Sequence, residues 1–203
     1  MRIDPASLSP NAVYYTLIST LLPRPIAWIS TRGPDGGRNL APFSFFAGVV
    51  GRPPTLSVAI GRRGPSTPKD TARNILERKD FVVNVVPFAL AEAMVATSAE
   101  VAFGVDEVAL AGLTTVPADG VAADRVVGSP VQYECTLFQH VPIADGDEVT
   151  ADLIIGRIVA IHVDDAVLDG RGRVDEALLD AVGRMGGAGY CRTRDRFELK
   201  RPG

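Results

Sequence analysis

The chain has 203 residues, of which 46% are hydrophobic and 22% charged, and its net charge is −3. This composition is typical of a globular protein, and the length suits one domain, 1–203, with an extensive core. The scattered Lys and Arg residues form neither the basic stripe of a nucleic-acid-binding protein nor the basic patch of a membrane-surface protein. No apolar run suits a membrane span or a signal peptide, and two cysteines give no disulfide framework. We therefore expect a cytoplasmic protein.

The first third of the chain predicts three strands. The apolar run "RPIAWIST" (24–31) ends in a Pro-Asp-Gly-Gly cluster, which is typical of a turn, and "NLAPFSFFAGVV" (39–50) then returns as the second strand of a hairpin. Pro42 has no N–H to donate to a neighbouring strand, which predicts an irregularity or a sheet edge at that residue. The run "PTLSVAIG" predicts a third strand from about Thr55 to Gly61.

A helix and a buried strand follow in "STPKDTARNILERKDFVVNVV". Thr67, Pro68 and Asp70 have the residue types of an N-cap, a first helical position and a capping-box partner. We expect this helix to end near Lys79 and the strand "FVVNVV" to end at Pro87.

The remaining sequence predicts short helices and then long strands. The helices are expected at "FALAEAMVATSA" and "VDEVALA". Apolar and polar residues alternate in "VQYECTLFQHV", which indicates a half-buried strand. The run "LIIGRIVAIHV" (153–163) is apolar on both faces with a central glycine, as in a barrel strand that must bend. A helix is predicted at "VDEALLDAVGRM", and a final short strand in "YCRTRDRFELKRP".

The order of these elements predicts the fold class. Six or seven strands and three or four helices are expected, and the strands are often adjacent in sequence. Strict β-α-β alternation is absent, which disfavours a doubly wound sheet. We therefore predict a mainly β protein with helical insertions, built as a small closed or split β-barrel.

The sequence contains few signs of catalytic or metal chemistry. It has no G-x-S-x-G nucleophile motif and no Walker loop. The run "GRMGGAG" (183–189) resembles a dinucleotide fingerprint but follows a helical pattern instead of a strand, so we interpret it as a turn. His140 and His162 lie in strand patterns far from Cys191, so no metal site is predicted, and Cys135 is interpreted as a small core residue. No catalytic residue is assigned.

A candidate anion site lies in "STPKDTARN". A helix N-terminus exposes unpaired N–H groups and the positive end of the helix dipole, which together favour an anion. The residues that would add hydroxyl donors are Ser66, Thr67 and Thr71, and those that would add positive charge are Lys69, Arg62 and Arg63. The spacing is equally compatible with a well-capped surface helix whose basic residues are solvated.

A candidate site for a flat ring lies in "NLAPFSFF". A strand edge here would leave backbone N–H and C=O groups free to bind the rim of a heteroaromatic ring, with Trp28 and the phenylalanines as apolar walls. Alternatively, Phe43, Phe45 and Phe46 belong to the core or to a dimer interface. The pattern does not identify the ligand.

Several motifs, taken in order, resemble the flavin reductase-like, FMN-binding split-barrel family. They are "RPIAWIST", "NLAPFSFF", "PPTLSVAIG", "KDTARNI" and "FVVNVV". The resemblance continues through "YECTL", "LIIGRIVAIHVDD" and "RMGGAGYCRTRDRFELKRP", so it spans nearly the whole chain. Within the family, the chain is most similar to the branch with flavoredoxins and the reductase components of two-component flavin monooxygenases.

The resemblance implies a homodimer of split barrels with FMN, bound or as substrate, near the subunit interface. It also implies that Gly186–Tyr190 covers part of the pocket. A carboxylate would repel the phosphate, so Asp70 is assigned to capping. The residues that the resemblance assigns to FMN binding are Trp28, Ile29, Ser30, Thr31, Asn39, Leu40, Ala41, Pro42, Ser44, Ala59, Ile60, Gly61, Ser66, Lys69 and Thr71.

The activity implied is hydride transfer from NADH or NADPH to the flavin. This reaction needs little from protein acids or bases, because the cofactor carries the chemistry. The reduced flavin would serve a partner monooxygenase or another acceptor. An electron carrier that retains FMN, or a flavin-binding protein without reductase activity of its own, remains an alternative.

Overall fold

A seven-stranded antiparallel sheet organises the computed structural model, which describes residues 1–64 and 67–202. The helices are α1 (Pro10–Thr20), α2 (Asp70–Arg78), α3 (Ala91–Ala96), α4 (Glu107–Leu110) and α5 (Glu176–Leu179). The strands are β1 (Arg24–Pro25), β2 (Ala27–Arg32), β3 (Arg38–Phe43), β4 (Phe46–Gly51), β5 (Pro54–Gly61), β6 (Asp80–Asn84), β7 (Thr115–Val116), β8 (Arg125–Val126), β9 (Val131–Asp145), β10 (Glu148–Val163), β11 (Val182–Arg184) and β12 (Tyr190–Arg192).

The strand order of the large sheet, β3-β2-β6-β9-β10-β5-β4, requires it to curl into a barrel. Strands β3 and β4 lie at opposite ends of this order, yet only Ser44 and Phe45 separate them in sequence. The two edges must therefore come close together, and the carbonyl of Phe45 accepts a hydrogen bond from the N–H of Ala59 in β5. The prediction of a mainly β barrel with helical insertions is confirmed.

The barrel interior explains the glycine in the middle of β10. Buried side chains from several strands, among them Ile29, Ile60 and Phe81, fill this interior. A Cβ atom at Gly156 would lie 2.4 Å from Cζ of Phe81, which is closer than packed atoms approach. The register between β9 and β10 also shifts between Ile155 and Gly156. This register shift lies at the glycine where the sequence predicted a bend.

A second core lies on the other side of β2 and β3. It contains Trp28 and Leu40 together with Met94 of α3 and Val108 of α4. The indole N–H of Trp28 donates to the hydroxyl of Thr97 at 2.9 Å, so its polar atom is satisfied. Strand β2 is therefore buried on both faces, because alternate side chains enter the barrel and this outer core.

The structure corrects the predicted start of helix α2. Helix α2 begins at Asp70 with Lys69 as the N-cap, and Thr67 is not the cap. The N–H of Thr67 donates instead to the carbonyl of Gly64. The predicted end is confirmed, because Lys79 adopts a left-handed conformation with φ of 67°.

Further differences lie at both ends of the chain and between β3 and β4. Helix α1, with Ser9 as its N-cap, was not predicted. The run 39–50 forms two strands instead of one. The predicted helix at "VDEALLDAVGRM" ends at Leu179, because Asp180 has a positive φ and 182–184 form β11. Consequently "GRMGGAG" lies mainly in the turn between β11 and β12.

Among the helices that the structure describes, none has the length and apolar character needed to cross a bilayer.

Candidate functional site

A cleft with two adjoining lobes lies along β3. The first lobe, of about 120 Å³, lies between Asn39, Lys69, Thr71 and Glu107. The second lobe, of about 170 Å³, lies between Ser44, Met94, Arg184 and Tyr190. Both lobes are lined by Pro42, Phe43 and Ser98, which therefore mark the boundary between them.

The backbone of β3 supplies the floor of this cleft. In the described part of the sheet, β3 pairs only with β2, where Leu40 lies opposite Ser30 and Pro42 opposite Trp28. Successive residues of an antiparallel strand direct their backbone groups to opposite sides. The N–H of Leu40 points away from β2 and donates to Oε2 of Glu107 at 3.1 Å. The prediction that Pro42 marks a sheet edge is confirmed.

A buried hydrogen-bond network connects β3 to α2. The side-chain amide of Asn39 donates to the hydroxyl oxygens of Thr31 and Thr71, both at 3.0 Å, and the amide of Asn74 also donates to Thr31. Because Thr71 accepts from Asn39, its hydroxyl hydrogen remains available to an acceptor in the first lobe. The network therefore orients one donor towards the cleft.

Positive charge is concentrated beside this donor. Lys69 forms no ion pair with any carboxylate that the structure describes. Arg63 lies 3.8 Å from Asp70 and donates to the carbonyl of Val101, which holds the segment 98–104 next to the first lobe. Arg62 does not reach the lobe, because Asp152 holds its guanidinium at 2.8 and 3.0 Å. The expectation that Arg62 contributes to the anion site is therefore wrong.

No side chain among the described residues caps the N-terminus of α2. Lys69 occupies the N-cap position, and its side chain accepts no hydrogen bond from the first turn. The N–H groups of that turn are therefore left for another acceptor. Of the two alternatives for "STPKDTARN", this geometry favours an anion site over a capped surface helix. Ser66, the third hydroxyl residue, lies outside the described residues.

Glu107 is a cleft residue that the sequence did not reveal. Its side chain is buried in the first lobe, and burial raises the pKa of its carboxyl group, with further contributions from the charges of Asp70 and Asp106. A neutral carboxyl group therefore persists to a higher pH than usual, which reduces repulsion of an anionic ligand. The sequence around Glu107 marks only the start of a helix, because Asp106 is a residue type that caps helices and does cap α4.

The second lobe depends on the hairpin of β11 and β12. Arg184 and Tyr190 lie directly opposite each other, and the guanidinium carbon is 4.4 Å from the centroid of the phenol ring. One guanidinium nitrogen donates to the carbonyl of Gly187 at 2.5 Å. Of the segment Gly186–Tyr190, which the resemblance places over the pocket, Tyr190 lines the second lobe.

The structure places the residues assigned to FMN in different surroundings. Asn39, Ala41, Pro42, Lys69 and Thr71 line the first lobe, and Pro42 and Ser44 line the second. Thr31 and Leu40 lie behind the cleft, bonded to residues that line it. Besides these two, the assigned residues that line neither lobe are Trp28, Ile29, Ser30, Ala59, Ile60 and Gly61.

For two of the assigned residues that do not line the cleft, the physical reason is clear. Trp28, expected as an apolar wall, is fully buried in the outer core, and Ile60 is fully buried in the barrel. Phe43, which was expected as a wall together with Trp28, lines both lobes, but most of its side chain is buried in the barrel core, as the alternative interpretation predicted. The strand alternation directs Trp28 away from the cleft.

The histidines serve as partners of buried carboxylates. His140 contacts Asp152 at 2.9 Å, and His162 contacts Glu134 at 2.6 Å. Burial would raise the pKa of Glu134, but hydrogen bonds from the N–H groups of Asp119 and Gly120 and from His162 together lower it. These contacts fix the loop before β8 onto β9. The carboxylate oxygens of Glu134 are already occupied as acceptors.

Comparison with known proteins now identifies the family. The family described as flavin reductase like domain matches residues 19–188, which is most of the chain. The chain belongs to the flavin reductase-like family. Membership supports a flavin-related oxidoreductase function, and it confirms the resemblance seen in the sequence.

Relatives of this flavin reductase-like chain include both curated proteins and solved structures. An uncharacterized protein of Halalkalibacterium halodurans is 38% identical over 100% of this chain and 97% of its own. Nitrilotriacetate monooxygenase component B from Bacillus cereus is 30% identical, with a TM-score of 0.94 over 98% of each chain. The 2-nitrobenzoate 2-nitroreductase of Pseudomonas fluorescens is also 30% identical, with a TM-score of 0.89 over 100% of this chain and 96% of its own.

Proposed function

We propose that this chain is an NAD(P)H:FMN oxidoreductase that binds FMN in the cleft along β3. The observation that carries the proposal is the uncapped N-terminus of α2, beside Lys69 and the hydroxyl of Thr71, at one end of a strand edge. A flavin mononucleotide has a dianionic group at one end and a flat ring with a polar rim at the other. In the cleft, the N-terminus of α2 matches the dianionic group, and the edge of β3 matches the flat ring.

The phosphate of FMN would lie in the first lobe. The N–H groups at the start of the nine-residue helix α2 and its dipole favour an anion there. Lys69 would add a full charge, and Thr71 would donate its free hydroxyl hydrogen. Three acidic residues, Asp70, Glu100 and Glu107, also line this lobe. Arg63 offsets the charge of Asp70, and burial favours the neutral form of Glu107.

The ring of FMN would lie along the edge of β3. The N–H of Leu40 is occupied by Glu107 and Pro42 has no N–H, so the backbone carbonyls of Leu40 and Pro42 are the groups that could accept a hydrogen bond from the polar rim, while Phe43 would lie beside a ring face. When bound, FMN supplies the hydride-accepting chemistry. The protein orients the ring and excludes water, which explains why no catalytic triad is present among the described residues that line the cleft.

We further propose that the chain acts as one cytoplasmic domain, 1–203, in a homodimer. Exposed apolar residues of the edge strand β4, Val49 and Val50, and of β10, Val159 and Ile161, support an interface. The reduced flavin would pass to a partner monooxygenase or another acceptor. The similarity to a monooxygenase component B supports this step.

Anaerobic titration with NADH and NADPH tests the proposed activity. We expect the purified protein with saturating FMN to oxidise at least one of them, with bleaching of the flavin absorbance. An electron carrier would retain FMN and oxidise neither. If FMN fails to accelerate oxidation of both nucleotides, the reductase proposal is wrong.

A further inference from the structure

We propose that Asp119, Glu134 and His162 form a binding site for Zn²⁺ or a similar divalent transition-metal ion. Their ligand atoms, one from each side chain, all lie within 4.8 Å of one another. Nε2 of His162 is 2.6 Å from Oε1 of Glu134 and 3.8 Å from Oδ2 of Asp119. None of the three residues lines either lobe of the cleft, so this inference goes beyond the proposed function.

The fold brings these residues together from three segments. Glu134 lies on β9 and His162 on β10, which pair with each other, and Asp119 lies in the loop between β7 and β8. The N–H groups of Asp119 and Gly120 donate to the carboxylate of Glu134 at 2.8 and 2.7 Å, which holds this loop against β9. The prediction that the chain has no metal site rested on its histidines and cysteines, and 28 positions separate Glu134 from His162.

The charge of this cluster favours a cation. Glu134 is fully buried, and its carboxylate accepts hydrogen bonds from two backbone N–H groups and from His162. Among the ion pairs between described residues, none joins Glu134 or Asp119 to a lysine or an arginine. Buried charges in proteins are normally paired or coordinate metal ions. Two carboxylates beside one imidazole therefore suit a divalent cation.

The other histidine provides an internal comparison. His140 contacts the buried carboxylate of Asp152 at 2.9 Å, but Arg62 also binds both oxygens of Asp152, at 2.8 and 3.0 Å. One full positive charge therefore balances that one carboxylate. At His162, the third group is instead a second carboxylate, that of Asp119. The two clusters share a histidine and a buried carboxylate, and they differ in the sign of the third charge.

The metal ion would replace a hydrogen between His162 and Glu134. An ionised carboxylate has about four lone-pair sites, so Oε1 of Glu134 can bind a metal while it accepts from the N–H of Asp119. A metal binds the ring nitrogen that carries no hydrogen, so His162 would hold its hydrogen on Nδ1. With Zn–N and Zn–O bonds of about 2.0–2.2 Å, two ligand atoms lie about 3 Å apart. That separation falls between the 2.6 and 3.8 Å observed here, and the exposed side chain of Asp119 can move closer.

The mixture of ligands selects the class of ion. Imidazole suits Zn²⁺ and neighbouring transition metals, whereas Mg²⁺ and Ca²⁺ prefer oxygen ligands. A bound ion would join the loop between β7 and β8 to both long strands of the sheet. Because the three ligands come together only in the folded chain, binding of the ion would stabilise the fold.

Calorimetry with ZnCl₂ tests this inference on the purified protein, with and without FMN. We expect one Zn²⁺ to bind per chain, and Mg²⁺ to bind at least about tenfold more weakly. Asp119→Ala should weaken Zn²⁺ binding at least about tenfold, since even the outer partners of metal ligands contribute that much. The side chain of Asp119 is 75% exposed, so this variant should fold as the parent does. His162→Gln should also weaken binding.

Asp147→Ala and His140→Gln are the matched controls. Asp147 is an exposed aspartate in the turn between β9 and β10, and His140 contacts a carboxylate that Arg62 already balances. Both variants should bind Zn²⁺ as the parent does. Equal weakening by Asp119→Ala and Asp147→Ala would indicate an adventitious ion only. That result, or a parent that does not bind Zn²⁺, would overturn the inference.

Thermal unfolding gives a second measurement. An ion that binds only the folded chain raises the unfolding midpoint as its concentration increases. We expect ZnCl₂ to raise the midpoint of the parent and of Asp147→Ala, and to leave that of Asp119→Ala nearly unchanged. An equal rise in all three proteins, or no rise in the parent, would contradict the site. None of these measurements requires flavin reduction, so failure of the proposed function would leave this inference intact.

Discussion

The side-chain amide of Asn39 donates a 3.0 Å hydrogen bond to the hydroxyl oxygen of Thr71, which joins the edge of β3 to the first turn of α2. The same amide also donates to Thr31 in β2. One buried side chain therefore sets the distance between the strand edge and the helix N-terminus. In the proposed FMN site, these two elements bind opposite ends of one ligand.

Replacement of Asn39 tests this connection. Asn39→Ala removes the donor of two buried hydrogen bonds, so we expect the free energy of unfolding to fall by about 1–3 kcal/mol. Urea denaturation of the flavin-free protein measures the loss. Asn11→Ala, at an exposed position of α1, should leave the midpoint nearly unchanged. Equal midpoints for the Asn39 variant and the parent would contradict the structural role.

Lys69 tests the phosphate end of the cleft. Lys69→Ala should weaken FMN binding by about 1–3 kcal/mol, as for a hydrogen bond to a charged group. Riboflavin has no phosphate, so the variant and the parent should bind it equally in fluorescence titrations. A control substitution at the exposed Lys200 should affect neither ligand. Equal weakening of both ligands by Lys69→Ala would indicate a damaged fold and not a lost phosphate contact.

Glu107 predicts a specific pH dependence of stability. Its pKa is raised in the folded state by burial, so the folded protein binds this proton more tightly than the unfolded chain does. This tighter proton binding stabilises the fold. The stabilisation is fully present below the pKa of Glu107 in the unfolded chain, and it is lost as the pH rises through the pKa of Glu107 in the folded protein.

Glu107→Gln should remove that loss, because the amide stays neutral and its oxygen can still accept from the N–H of Leu40. Thermal unfolding between pH 4 and pH 8 measures the difference. We expect the variant to gain stability relative to the parent as the pH increases. A difference that is constant over this range would exclude a titrating Glu107.

Gly156 tests the packing inside the barrel. A methyl group there would meet the ring of Phe81, so Gly156→Ala should destabilise the fold by about 1–3 kcal/mol through overpacking. Gly48→Ala is the matched control, because the equivalent methyl group on β4 would meet no atom within 4 Å. Chemical denaturation of both variants gives the comparison. A tolerated Gly156→Ala would mean that Phe81 can move aside.

The features predicted correctly from the sequence are those that depend on the chemistry of single residues. Pro42 marks a sheet edge because it has no N–H, and Gly156 accompanies a shift in strand register. The turn between β2 and β3 follows from its Pro-Asp-Gly-Gly cluster. Local backbone rules suffice in each case.

The features that were missed depend on contacts between distant parts of the chain. Glu107 meets Leu40 although 67 positions separate them, and no local pattern marks either residue as a partner. Arg184 was assigned to a helix because "VDEALLDAVGRM" has helical character, yet pairing with β1 makes it part of a strand. Trp28 was placed on the wrong face, since β2 is buried on both sides and polarity does not distinguish them.

The contacts of Arg24 have a consequence for the order in which the protein is completed. This guanidinium binds the carbonyls of Ile18 and Leu21 early in the chain and that of Met185 late in it. A nascent chain on the ribosome has no Met185 until the 161 positions that follow Arg24 have been synthesised. The set of acceptors around Arg24 is therefore completed only then, and Arg184 and Tyr190, the cleft residues latest in sequence, are the last to become available.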